Sequence, residues 1–132
     1  MKFLRPYLVA LLFISIIFVQ AAPAEAATDY RSRYQITNDF LALENSYPTL
    51  VTHEVIGHSV QNREILLFKI GNPNGGQVLI DASIHGNEHA TTEALYYTLA
   101  WLLTSQEQDA QNILNNNYLL LIPIVNIESG NV

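Results

Sequence analysis

Apolar residues fall in blocks whose spacing predicts alternating helices and strands. Leu8 to Val19 is an almost unbroken apolar run, and Thr28 to Gln35 is a polar lead-in. Thr37-Asn38-Asp39 offers a helix N-cap ahead of Phe40, Leu41 and Leu43, and Asn45, Ser46 and Pro48 end that short helix. Leu50 to Ile56 alternates as a strand does, with Val51, His53 and Val55 on one face and Thr52, Glu54 and Ile56 on the other. The turn residues of Gly57 to Arg63 lead to a β-favouring run, Glu64 to Ile70, which completes a hairpin. After the turn cluster Gly71 to Gly76, Val78 to Ile84 is apolar on both faces and predicts a central buried strand.

The second half continues the alternation. Thr91 and Thr92 precede a long apolar helix through Leu102. Ser105 to Asn117 is polar around Ile113 and Leu114 and predicts a short helix closing in an asparagine-rich loop. Tyr118 to Val125, with Pro123 near its end, predicts a second buried strand. Hairpin, strand, helix and strand describe an α/β fold, a partial mixed sheet with covering helices.

The first segment belongs to export rather than to this domain. Lys2 and Arg5, the apolar run, and then Ala22, Ala24 and Ala26 make the three-part pattern of a signal peptide over residues 1–26. An uncleaved anchor is the competing reading, but the run is bounded by Pro6 and Gln20 and falls short of the roughly 20 residues a span needs. The expected location is therefore secreted or extracytoplasmic, with the membrane met only in transit. Residues 27–132 are then one domain, incomplete by the resemblance given below.

Composition narrows the chemistry. Without residues 1–26, 4 basic and 11 acidic residues remain, a formal charge of −7. That leaves no basic footprint for a nucleic acid. With no cysteine, neither disulfides nor thiolate zinc modules are available, so a metal site must come from His, Asp or Glu. Composition does not set the oligomeric state.

Chemical density is highest at Ile84-His85-Gly86-Asn87-Glu88-His89. His85 falls where a buried strand meets a loop, and Glu88 falls near the start of the next helix. In open α/β sheets that strand edge is where ligands gather. Imidazole and carboxylate three residues apart can face one zinc ion. The competing readings are a surface loop with an unrelated histidine and carboxylate, and an inverted zincin in which His85 and His89 bind zinc and Glu88 is the base. The latter needs one continuous helix, for which Gly86-Asn87 is poor material. His53 and His58 are five apart, not the four of the thermolysin-type motif, and read as hairpin residues. If the two buried strands run parallel, the end of Tyr118 to Val125 lies beside His85 and Asn126 faces the same cleft.

The order of these features resembles the opening third of the carboxypeptidase A family of zinc carboxypeptidases. Ser46-Tyr47-Pro48 is similar to its Tyr-Pro after the leading helix, and Ile56 to Ile65 to its Ile-Gly-x-Ser-x-x-Gly-Arg-x-Ile hairpin, with Asn62 in place of glycine. His85-Gly86-Asn87-Glu88 matches its His-x-x-Glu metal motif, and Pro123 to Asn126 matches the start of Pro-x-x-Asn-Pro-Asp-Gly, which Ile127-Glu128-Ser129-Gly130 does not continue.

The resemblance implies peptide hydrolysis with Zn2+ held by His85 and Glu88. It also implies a third ligand (a histidine), a general-base glutamate and substrate-carboxylate arginines, all later in the family's order and without counterparts before Val132. This chain alone is then expected to bind zinc weakly and to turn over little. Peptide specificity, and exo- against endopeptidase action, stay open. The rival class is a non-catalytic exported protein with the fold but not the chemistry; a reading frame continuing to a later histidine and glutamate would favour the enzyme. A sheet that ended here would leave unpaired strand edges.

Overall fold

In the computed structural model, residues 30–128 are described, and the signal peptide expected over residues 1–26 lies outside them. The elements run α1 (Arg33–Ser46), β1 (Val51–His58), β2 (Glu64–Gly71), β3 (Gly76–Asp81), α2 (His89–Thr104), α3 (Gln108–Asn116) and β4 (Asn117–Ile122). The strands form one mixed sheet in the order β1-β2-β4-β3. β1 with β2 and β2 with β4 are antiparallel, and β3 with β4 is parallel. The α/β expectation therefore holds, and the two apolar strands pair in parallel. No described helix is long and apolar enough to cross a membrane.

α1 begins earlier than its sequence signal suggests. Ser32 and Gln35 form a capping box: the Ser32 hydroxyl accepts from Gln35 N, and the Gln35 side chain accepts from Ser32 N. Part of the expected lead-in is thus helical, and Thr37-Asn38-Asp39 lies inside the helix. Tyr47 ends it, its N–H reaching Leu43 O and Glu44 O.

One core joins the helices to one sheet face. Phe40 of α1 is fully buried and meets Phe68 of β2 with ring centroids 5.2 Å apart and Tyr96 of α2 edge-on at 5.6 Å. Val51, Ile70, Leu119 and Leu121 extend that face, and Leu99, Leu102, Ala110 and Leu114 cover it from α2 and α3. On the other side of the pleat, Lys69 reaches Glu54 of β1 at 2.7 Å.

β3 corrects the expectation of a central buried strand. It is an edge strand, exposed at every position, with Leu79 62% accessible. Its apolar residues on both faces suit a covered strand, but only β4 pairs with it among the described residues. The asparagine-rich stretch is likewise no loop. Asn116 and Asn117 turn their carboxamides back to Asn112 O and Ile113 O, and the chain passes from α3 straight into β4.

Gly71 closes the β2 end against this junction. It has φ +88°, and a Cβ there would meet the carbonyl oxygens of Asn117 and Leu114 at 2.7 and 2.8 Å. At the hairpin, Asn62 adopts φ 61° and donates its N–H to Ser59 O at 2.9 Å. Asparagine tolerates that left-handed conformation best after glycine, which accounts for the substitution within the motif.

Candidate metal centre

β3 and β4 run parallel and end together, and the chain beyond each is stitched to the other. Ala82 N donates to Ile122 O, Val125 N to Ala82 O and Asn126 N to Ser83 O. This places the segment leading to His85 against the segment leading to Asn126, at the C-terminal edge of the parallel pair.

A buried hydroxyl cluster sets the path of the loop. Ser83 has φ 49°, a left-handed conformation that costs a non-glycine residue about 1–3 kcal/mol. Several bonds offset it. Ser83 N donates to Thr91 Oγ1 at 3.1 Å, and Ser83 Oγ to Glu88 O at 3.3 Å. Thr92 Oγ1 lies 3.1 Å from Ser83 Oγ and 2.9 Å from Pro123 O. Ser83 and Thr92 are the buried polar residues of the core. Their role escapes sequence reading because a Thr in a helix's first turn looks like a cap; the sharper signal is a hydroxyl on the helix's apolar face.

At the tip of this loop the two candidate ligands meet. His85 Nδ1 lies 2.9 Å from Glu88 Oε1, and His85 N donates to Glu88 Oε2 at 3.1 Å. Glu88 N in turn donates to His85 O at 3.0 Å, closing a turn immediately before α2, whose N-cap is Glu88. The imidazole is 77% exposed and the carboxylate 40%. The side-chain bond to His85, followed by the bond from its backbone N–H, holds the Glu88 carboxyl below its ordinary pKa. The carboxylate is ionised as metal ligation requires, and the pair is open to solvent.

The other candidates go elsewhere. His89 is the first residue of α2 while His85 lies in the loop before it, so the continuous helix an inverted zincin requires is not formed. The His89 ring instead stacks on Tyr30, with centroids 6.0 Å apart. His53 pairs with Glu44 and packs on Phe68, and His58 ends β1. Asn126 lines a narrow cleft with Gly86, His89, Glu93 and Arg31, and neither His85 nor Glu88 lines that cleft. Among the described residues no group of three His, Cys, Asp or Glu is placed to hold an ion.

Beside the cleft, Arg31 ties the first described residues to the helices. Its Nη1 reaches Asp39 Oδ2 of α1 at 2.6 Å, and its Nε lies 3.1 Å from both oxygens of Glu93 on α2. Its guanidinium also lies 4.0 Å above the Tyr96 ring.

Comparison with known proteins decides what this arrangement is related to. The zinc carboxypeptidase family profile matches residues 36–128. The chain belongs to the zinc carboxypeptidase family. Carboxypeptidase D of Drosophila melanogaster is 27% identical over 105 residues, covering 74% of this chain and 8% of that protein. The fold is similar to that of thrombin activatable fibrinolysis inhibitor, with TM-score 0.69 and 20% identity over 74% of this chain and 26% of the other. Carboxypeptidase A from Helicoverpa armigera gives TM-score 0.64 and 20% identity over 89% and 31%. The chain therefore spans less than a third of the length of these relatives.

Proposed function

We propose that this zinc carboxypeptidase-family chain contributes two zinc ligands, His85 and Glu88, to a metallocarboxypeptidase that hydrolyses peptide bonds. The observation that carries the reading is the 2.9 Å approach of His85 Nδ1 to Glu88 Oε1 on a fastened, solvent-open loop. The donor set suits the ion, since a neutral imidazole and an ionised carboxylate are both ordinary zinc ligands. Zinc bound there would polarise a peptide carbonyl and acidify a bound water.

The chain's own residues set up that chemistry. His85 Nδ1 faces the ionised Glu88 carboxylate, and it would have to give up the proton of that hydrogen bond before serving as a ligand beside it. The Ser83, Thr91 and Thr92 hydroxyls hold the loop path. Glu88, once a ligand, cannot also serve as the base that takes the proton from water. The two-ligand set therefore implies weak zinc binding and little turnover by this chain alone.

Chelator-sensitive release of the C-terminal residue from N-acylated dipeptides tests the reading. The purified chain with zinc should release little above background. Vigorous hydrolysis that survives His85→Ala would contradict the assignment.

A further inference from the structure

We infer that the outer edge of β3 is a self-association surface. It pairs with β3 of a second copy, antiparallel, about a two-fold axis at Leu79, and joins the two sheets into one.

The sheet has two edges, β1 and β3, and they differ. β1 shifts register between Val55 and Gly57 and carries the Glu54 carboxylate along its length. A bulge and a charge on an edge both discourage a further strand. β3 lacks these devices. It pairs with β4 residue by residue from Gly76 to Asp81 without a shift, and its one charged residue, Asp81, is its last. All of β3 is exposed, and among the described residues no strand pairs with its outer side.

The backbone fixes which groups face outward. Ala82 donates its N–H to Ile122 O, and its carbonyl accepts from Val125 N, so both its main-chain groups point toward β4 and the chain beyond it. These groups alternate sides along a strand, so those of Ile80 and Val78 also face β4, and those of Asp81, Leu79 and Gln77 face outward. Antiparallel pairing with Leu79 opposite Leu79 sets Gln77 opposite Asp81, and each of those outward N–H and C=O groups then meets a partner. An axis moved to Val78 leaves Asp81 unpaired at each end, and one moved to Ile80 leaves Gln77 so.

The same register matches the side chains. Val78 and Ile80 lie on the helix-bearing face, beside Leu119 and Leu121 of the core, and meet the partner's Ile80 and the partner's Val78. Leu79 meets the partner's Leu79 on the opposite face. Gln77 can donate its carboxamide N–H to the partner's Asp81, so no carboxylate is set against a like charge. Strands this short bury less than the roughly 1,600 Å² of a standard interface, so the dimer is weak and concentration-dependent. No metal takes part, so the dimer is testable apart from the zinc assignment.

The chain has no cysteine, so single-cysteine variants of the full chain read the register by disulfide cross-linking in a glutathione buffer. Hydrogen-bonded antiparallel residues stand about 5.5 Å apart at Cα, within disulfide reach. Leu79→Cys should link to itself at least about tenfold faster than Val60→Cys, an exposed site in the β1–β2 turn. Gln77→Cys and Asp81→Cys, mixed, should link to each other at least about fivefold faster than either links to itself. In the parent chain, exchange of the Leu79 amide should slow as concentration rises. Leu79→Lys should remove that protection together with the rise in sedimenting mass. Equal linking at positions 79 and 60, faster self-linking of Gln77→Cys, or a monomer at every concentration would each overturn the inference. So would Leu79 amide protection that is independent of concentration, which marks another segment of the same chain as the occupant of the edge.

Discussion

At the scale of single residues, the proposed metal pair depends on groups that are not ligands. Thr92 Oγ1 sits between Ser83 Oγ and Pro123 O in a buried site, and Ser83 holds a left-handed conformation just before His85. Thr92→Val keeps the shape and removes the hydroxyl, leaving a buried carbonyl without its donor. Loss of stability by about 1–3 kcal/mol is expected, read by denaturant unfolding. Zinc affinity should fall as well, because the loop path loosens; unchanged affinity in a destabilised variant would confine Thr92 to a packing role. That His85 and Glu88 come together was legible in the sequence, because strand end, glycine-containing turn and helix start bring the two positions to one loop. Ser83 and Thr92 were not, since their contacts join segments far apart in the chain, as Thr92 to Pro123 does.

At the scale of elements, boundaries were harder to read than identities. The helices and strands appear where periodicity puts them, yet α1 starts at Arg33 because a Ser32–Gln35 capping box competes with the Thr37-Asn38-Asp39 signal. The segment before α1 is anchored through Arg31, which lowers the Glu93 carboxyl pKa through its side-chain hydrogen bonds. A carboxyl with a lowered folded-state pKa stabilises the fold above its unfolded value of about 4.3, and that stability is lost as pH falls through the folded value. Glu93→Gln should therefore lower Tm at neutral pH. The gap to the parent chain should close as pH drops below 4.3. A gap that is constant across that window would mean the ion pair contributes nothing measurable.

At the scale of the whole molecule, sequence pattern misplaced β3. Apolar residues on both faces mark a strand meant to be covered, but Val78, Leu79 and Ile80 are all exposed on an edge paired only with β4 among the described residues. Covering is a property of neighbours, and a single strand's pattern does not say which neighbours are present. A long apolar edge is a template for pairing with another chain. The chain should self-associate in a concentration-dependent way, and Leu79→Lys should reduce it, as followed by light scattering. Association unaffected by that charge would place the contact elsewhere. The His85–Glu88 loop lies elsewhere, beyond the C-terminal end of β3 and just before α2. Calorimetric titration of the chain with zinc tests the account most directly. The parent chain should bind one ion weakly, His85→Ala and Glu88→Gln should each abolish that binding, and His89→Ala should leave it unchanged. Loss of binding on substituting His89, with His85→Ala still binding, would contradict the account.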